Sequence, residues 1–448
     1  MDKKTIKNIK KILIVRPDAI GDVVLTFPIV HELKQAYPNC EIYYLASDYT
    51  RPLLENHEYI AGVIKDELNK GKDLKKFLEQ YKTIKKQNFD VIFHCYNEFP
   101  YALLALLARI PVRIGDSSKV IPKFFHNKRI NQGYRNLLNH EVDLNLKYLK
   151  PLGLEIPTKP ILKYPIKDKL KVKHTLVEYS MRQKVVIHPG SGGGNQPWSK
   201  ENYKKFIDYL SRHGYLIILT GSSKESTLTY EISSGSNNVI DVAGKTSIQE
   251  LVGILSDADY FISVDTGPMH LAAAMDVPIL LISPTHYVKP NRWGPYESIN
   301  KVIGIKRTFY KNLLPNKNTR SFFVESISIE NVISAFNELS MKTKNSIFES
   351  KKEWLKTSLN ILDLRDKNSD KEFEDYNYYA KREVRKGLIS FIKNKDINVF
   401  LVDKRSFKLW LIRNIVAITI YCPPIQLILD ENNSDFVEKV IKEFAKYD

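Results

Sequence analysis

Short apolar runs rich in β-formers, each followed by a polar or glycine-bearing loop and then a helix-periodic stretch, recur along most of this chain. Lys11–Val15 (KILIV), Glu41–Leu45 (EIYYL), Gly62–Ile64, Val91–His94 (VIFH) and Val112–Ile114 read as strands. Between them, Val23–Tyr37, Tyr49–Asn56, Asp73–Gln87 and Tyr101–Ala108 read as helices. Strands this short and this uniformly apolar suit a parallel sheet buried under helices on both faces. Lys119–Asn139 is basic and aromatic without a clean period and reads as a loop. Tyr148–Pro165 carries Pro151, Pro157, Pro160 and Pro165 and reads as a linker between domains.

The alternation then restarts. Lys184–His188 (KVVIH), Leu216–Thr220 (LIILT), Val239–Asp241, a run ending at Val264 and Pro278–Ser283 are the expected strands of a second sheet. Helices are expected at Lys200–His213, Ser223–Ser233, Ser247–Ser256, Met269–Met275 and Ile327–Met341. The chain thus divides into residues 1–160 and 161–344, two doubly wound Rossmann-like domains, and a small α/β appendage over 345–448 with no motif of recognisable chemistry. Doubly wound sheets bind ligands at the carboxyl ends of their strands, so a ligand is expected in a cleft between the two domains.

Composition narrows the partners. The net charge of +17 is uneven: from residue 345 onward 19 Lys/Arg face 17 Asp/Glu, so nearly all of the excess lies before that point. A basic body suits an anionic partner such as a phosphorylated glycan or a membrane surface, although a lysine-rich composition alone gives the same total. No nucleic-acid motif accompanies the charge. The cysteines, Cys40, Cys95 and Cys422, are scattered and odd in number, which argues against a disulfide framework or a zinc site and fits a reducing cytoplasm. Ile12–Val15 is too short for a signal-peptide core, and no apolar run is long enough to span a membrane.

The candidate chemistry sits at strand ends. Arg16–Asp22 (RPDAIGD) follows the first strand; Gly21 permits a sharp turn, and Asp22 at a helix start could take a proton from a hydroxyl or merely cap the helix. His188–Lys200 (HPGSGGGNQPWSK) offers unhindered backbone N–H groups for phosphate oxygens. It lacks the GK[ST] of a Walker loop and the spacing of a dinucleotide fingerprint. Thr220–Glu225 (TGSSKE) ends another strand. Val264–Ala274 (VDTGPMHLAAA) reads as strand, tight turn and helix, with Asp265 or Thr266 as cap and Pro268 at the first helical position. Such a helix start presents free N–H groups and a positive dipole end to an anion. An ordinary capped turn has the same local signature, and His270 alone has the character of a structural histidine. Convergence of three such loops on one crevice is the more specific signal.

Taken together, RPDAIGDVVLTFP, HPGSG with PWSKENY, TGSSKE, AGKTSIQEL and SVDTGPMHLAAA, in this order over residues 10–340, resemble the ADP-heptose:lipopolysaccharide heptosyltransferases, glycosyltransferase family 9. The resemblance implies a GT-B fold and an inverting, metal-independent transfer from a nucleoside-diphosphate sugar, with no cofactor. It implies that Asp22 is the general base and that Ser191 and Gly192 belong to the diphosphate loop. Glu225 then contacts the nucleoside, Thr246 or Lys245 lies near the adenine, and Asp265, Thr266, Gly267 and His270 hold the diphosphate and donor sugar. The family's lysine before the tryptophan of the phosphate loop is missing: Asn195-Gln196-Pro197 precede Trp198, and Lys200 is the candidate substitute. Basic residues of the first domain, Arg51, Lys119 and Arg129 among them, are candidates for an anionic glycan or glycolipid acceptor. The implied location is cytoplasmic, peripheral to the inner face of the inner membrane. A nucleotide-sugar epimerase and a non-catalytic nucleotide-sugar binder are the rival readings.

Overall fold

The computed structural model describes residues 9–68, 73–118, 124–133, 139–168, 182–191, 198–233, 235–236, 238–283, 289–296, 298–303 and 327–361. The expected appendage therefore lies almost wholly outside the described residues, as do Gly192 and Lys119.

The strands of the first sheet are β1 (Lys11–Val15), β2 (Glu41–Ala46), β3 (Gly62–Lys65), β4 (Val91–His94), β5 (Val112–Asp116) and β6 (Lys128–Ile130). They lie in the order β3-β2-β1-β4-β5-β6, and every pairing is parallel. The second sheet comprises β7 (Lys184–His188), β8 (Leu216–Leu219), β9 (Val239–Asp241), β10 (Tyr260–Ser263), β11 (Ile279–Ile282) and β12 (Asn300–Ile303). Its order, β12-β11-β10-β7-β8-β9, repeats that of the first half, again all parallel. In each half the first strand is flanked by the second and the fourth, so the winding reverses beside β1 in one and β7 in the other. Those reversals are where a doubly wound sheet opens a crevice.

The connecting helices are α1 (Ile20–Val24), α2 (Phe27–Ala36), α3 (Arg51–Glu55), α4 (Leu74–Gln87), α5 (Phe99–Leu107) and α6 (Glu141–Leu146) in the first half. The second half carries α7 (Lys200–Arg212), α8 (Ser226–Ser233), α9 (Ile248–Ser256), α10 (Gly267–Ala274), α11 (Lys289–Trp293) and α12 (Ile329–Ile361). Sequence dictates several starts directly. The Asp73 carboxylate accepts from the N–H groups of Lys75 and Lys76 at the head of α4, and Ser247 with Glu250 forms a capping box at the head of α9.

Apolar strands bury both faces of each sheet. Leu13, Val15 and Ile92 cluster with Ile84 of α4 and Leu104 and Ala105 of α5. Ile187, Leu219 and Ile262 cluster with Trp198, Phe206 of α7 and Phe336 of α12. Between the halves runs one continuous cluster that includes Phe27, Tyr44 and Tyr148 from the first and Phe261, Met269 and Ala272 from the second. The linker stitches the halves together: Tyr164 donates its hydroxyl to Leu53 O at 2.7 Å and its backbone N–H to Ala274 O at 2.9 Å.

Five features depart from the sequence expectation. The helix expected over 23–37 is two, broken at Leu25–Thr26, because Pro28 enters the first turn of α2 and the Thr26 hydroxyl turns back to Val23 O. The loop expected over 119–139 contains edge strand β6, whose three residues (KRI) are too few to show alternation. Strand β12 lies outside Pro278–Ser283, so that run does not close the second sheet. The first residues of the proline-bearing linker form a 3-10 helix, Lys147–Leu152, that buries Tyr148, Leu149 and Leu152 in the first half. Helix α12 also runs unbroken through position 344.

Candidate active site

Strand β1 ends at Val15, and Arg16 turns inward from its end, 5% exposed. Each of its three guanidinium nitrogens has a partner. Nη1 donates to Cys95 O at 2.5 Å, at the end of β4, and Nη2 donates to Asp22 Oδ1 at 2.7 Å. Nε donates to the backbone oxygen of Asp22 at 3.3 Å and lies 3.3 Å from Asp18 Oδ1. One buried cation thus ties both central strand ends to two carboxylates. Burial opposes its charge, but Asp18 and Asp22 outweigh burial and raise its affinity for the proton. Burial pushes the Asp18 carboxyl up to about 6; Arg16 opposes the rise and Asp22 adds to it. Asp22 sits in the first turn of α1 with its side chain 28% exposed. Its Oδ2 has no hydrogen-bond partner among the described residues.

Across the interface, β10 delivers Val264-Asp265-Thr266 into α10. Thr266 is the N-cap residue, but its side chain makes no cap hydrogen bond, and Gly267 rather than Pro268 opens the helix. Helix α10 packs directly on α1. The contact is built on two glycines: a Cβ on Gly21 would lie 2.8 Å from His270 Cδ2, and one on Gly267 would lie 3.1 Å from Ile20 Cβ. The base candidate of the first half is therefore held one residue from the contact with His270. His270 is buried, and burial, with a contribution from His140, lowers its pKa to about 3, so the ring is neutral at physiological pH. Buried Ser263 Oγ, Thr266 Oγ1 and His270 Nδ1 have no hydrogen-bond partner among the described residues. Polar atoms left unspent at a strand end and helix start are the groups a bound ligand would satisfy.

The remaining candidates lie at other strand ends of the second sheet. Ser191 follows β7, Glu225 follows β8 and Thr246 follows β9, all half-buried. The Glu225 carboxylate accepts from Ser222 N–H at 2.7 Å and Ser222 hydroxyl at 2.8 Å, and it lies where a Cβ on Gly190 would stand. It also faces the first half, since its charge helps raise the Tyr49 hydroxyl, after the larger effect of burial. Lys200 is exposed and its ammonium pairs with Glu231 of α8. The acceptor candidates are not brought together. Arg51 opens α3 and pairs with Asp48 and Glu55, whereas Arg129 lies in β6. Helix α3 follows β2, which lies four positions from β6 in the sheet, about 19 Å at ordinary strand spacing.

Several site residues carried no signal in the sequence. Glu141 is 2% exposed at its side chain and pairs with Arg292 Nη2 at 2.9 Å, joining α6 of the first half to α11 of the second. His140 Nε2 meets Gly294 O at 3.0 Å, and the Tyr296 hydroxyl donates to Asp143 at 3.1 Å. Burial raises the Glu141 carboxyl while Arg292 and Arg16 hold it down. These contacts join residues more than 150 positions apart, which no local pattern reveals.

Two doubly wound halves meeting through their strand-end loops, with a carboxylate on one and an anion-suited helix start on the other, have the GT-B architecture. The sequence profile described as Glycosyltransferase family 9 (heptosyltransferase) matches residues 78–318, and the chain belongs to that family. Among similar proteins, Lipopolysaccharide heptosyltransferase 3 of Escherichia coli is 27% identical over 332 residues, covering 71% of this chain and 96% of that protein. Lipooligosaccharide heptosyltransferase 2 of Haemophilus ducreyi is 28% identical over 289 residues, 61% of this chain and 82% of its own length. The fold is shared with a glycosyl transferase family 9 structure from Veillonella parvula, at TM-score 0.63 and 20% identity over 75% of this chain and 98% of that one. It is also shared with Escherichia coli heptosyltransferase WaaC solved with ADP, at 0.60 and 20% over 73% and 99%. No helix of the described residues is long and apolar enough to cross a membrane.

Proposed function

We propose that this glycosyltransferase moves a heptose from ADP-heptose to a hydroxyl of a lipopolysaccharide-core or related surface-glycan acceptor. The transfer is a single displacement with inversion and without a metal ion. The packing of α1 on α10, which sets Asp22 beside the Thr266–His270 helix start, carries the reading. Arg16 holds Asp22 Oδ1, so Oδ2 is the oxygen that takes the acceptor proton as the hydroxyl attacks the anomeric carbon. The carbon–oxygen bond to the diphosphate breaks on the opposite face. The leaving charge is met by the N–H groups at the start of α10 and of the loop after β7, preorganised dipoles that need no cation. Neutral His270 donates to or accepts from the donor without adding charge. Glu225 and Thr246 are assigned to the nucleoside, and Ser191, Gly192, Asp265, Thr266 and Gly267 to the diphosphate and sugar. The names of the relatives supply heptose and the lipopolysaccharide acceptor, and the ADP bound to WaaC supplies the base. The acceptor is anionic and presented at the inner face of the inner membrane.

The test is a binding screen of ADP-, GDP-, UDP- and dTDP-linked sugars followed by transfer from the best binder with and without EDTA, with product anomers read by NMR. ADP-heptose should bind best and give the inverted product regardless of chelator. Retention, or turnover to a free sugar isomer without acceptor, would overturn the mechanism.

A further inference from the structure

Helices α4 and α5 pack side by side over one face of the first sheet, and both leave apolar side chains in solvent. Along α5 the sequence FPYALLALL contains no charged residue. Tyr101, Ala102, Leu104 and Ala105 are buried beneath it, while Phe99, Leu106 and Leu107 are 42%, 40% and 46% exposed. At helical pitch, Phe99, Leu103, Leu106 and Leu107 fall on one stripe within about 100° of arc. A soluble helix normally turns such a stripe inward. On α4, Leu74 and Leu78 are 70% and 47% exposed, one turn apart, and Phe124 beside α5 is 72% exposed. Phe125, the next residue, packs edge-on against Phe99 at 5.4 Å between ring centres.

The same surface is strongly cationic. Helix α4 carries Lys75, Lys76, Lys82, Lys85 and Lys86, all exposed, against Glu79 alone. At helical pitch Leu74, Leu78, Lys82 and Lys85 share a face about 80° wide. Among the described residues from 99 to 130, Arg109 and Arg129 are exposed and Lys128 is half-buried, while the one carboxylate of that stretch, Asp116, is buried. Apolar side chains interleaved with cations form the surface that an acidic lipid interface accommodates: hydrocarbon enters the headgroup boundary while ammonium groups stay with the phosphates.

We propose that the outward faces of α4 and α5, with Phe124, form a docking surface for an anionic lipid bilayer. The proposal deepens the transferase reading, since a lipid-borne acceptor would then be offered to the enzyme where it docks. Helix α5 begins four residues after Cys95, whose carbonyl Arg16 holds, so the docked face is continuous in the chain with the base. A protein partner fits less well, because the apolar stripe is narrow and set among flexible lysines rather than ringed by a shaped polar rim.

The full-length protein should float with vesicles of phosphatidylglycerol and phosphatidylethanolamine and not with phosphatidylcholine vesicles. Leu106→Ser with Leu107→Ser should weaken binding to the acidic vesicles by about tenfold or more, since two solvent-exposed leucines no longer enter the interface. Lys82→Glu with Lys86→Glu should weaken it to a similar degree and remove most of its salt dependence. Both variants should bind donor nucleotide and turn over a delipidated acceptor as the wild type does. Wild-type protein that ignores acidic vesicles, or binding untouched by the leucine pair, overturns the proposal. So does a dimer, seen by sedimentation, that the leucine pair dissociates. Wild-type protein that transfers heptose yet ignores vesicles overturns docking alone; protein that docks through these residues yet transfers nothing overturns the transferase reading alone.

Discussion

Replacing Asp18 by asparagine should make the protein more stable and the enzyme slower. Its side chain is 25% exposed, and burial moves its carboxyl from the ordinary 3.8 up to about 6. A carboxyl whose pKa is raised by folding leaves stability unchanged at low pH, where it is protonated in both states. It then costs stability as pH climbs through the interval between the two values. Asparagine is the neutral isostere and escapes that cost. The variant should therefore match the wild type near pH 3. It should exceed it by a margin that grows as pH climbs from about 4 to about 6 and levels off above pH 7 at a few kcal/mol, on the order of 1 kcal/mol for each pH unit separating the two pKa values. Urea denaturation of the pair at each pH measures this difference directly, and titrations common to both proteins cancel. The same change removes one of the two carboxylates held by Arg16 and leaves its whole charge facing Asp22, so kcat should fall. A variant that is less stable than wild type at neutral pH would refute the burial argument. A gain of the same size at pH 3 as at pH 7 would show that the effect is not electrostatic. A stability cost kept beside the reacting groups is what a functional site tolerates and a purely structural loop does not.

Other perturbations have equally definite outcomes. Gly21→Ala should destabilise by about 1–3 kcal/mol, because its methyl meets His270 at 2.8 Å, and should cost more than Gly267→Ala; equal, negligible effects in thermal unfolding would mean that α1 and α10 do not pack as described. Arg292→Leu strands Glu141, 2% exposed, and should cost about 3–5 kcal/mol, much of it recovered by adding Glu141→Leu; a single variant as stable as the double would contradict this. Burial lowers His57 and His270 to about 3 and His126 to about 4, so their neutral forms stabilise the fold above pH 6.5. That contribution is lost as pH falls below 6.5, by about 1.4 kcal/mol per pH unit for each ring. Denaturation midpoints that stay flat from pH 6.5 to pH 5 would contradict it.

Much of the fold was legible because its central strands are short, largely apolar and regularly spaced, as in KILIV, VIFH and ILLI. Of the four edge strands, β3 and β9 were legible and β6 and β12 escaped. In β6 three residues carry no period, and β12 (NKVI) is half-buried throughout, so neither presents the uniform apolar run that marks a central strand. Pro28 was visible, but whether it opened a helix or sat in one depended on Thr26, whose hydroxyl also meets Tyr44. At the site, Asp22, Thr266 and His270 stood out because each lies just beyond an apolar run, where doubly wound sheets concentrate chemistry. Arg16 and Asp18 lay in the same motif and went unassigned, since a buried ion triad is a tertiary fact. Glu141 and Arg292 were silent for the same reason. The grouping of Arg51 with Arg129 rested on charge alone, and charge does not say at which edge of a sheet a residue falls.

The most direct measurement is the rate of sugar transfer by Asp22→Asn beside the wild type, with donor binding measured on both proteins. Asparagine keeps the shape and the tie to Arg16 but cannot take a proton. Donor affinity should be unchanged and kcat should fall by about 10²–10⁴-fold. Transfer at the wild-type rate with the donor bound normally would contradict the placing of the reaction between Asp22 and the start of α10.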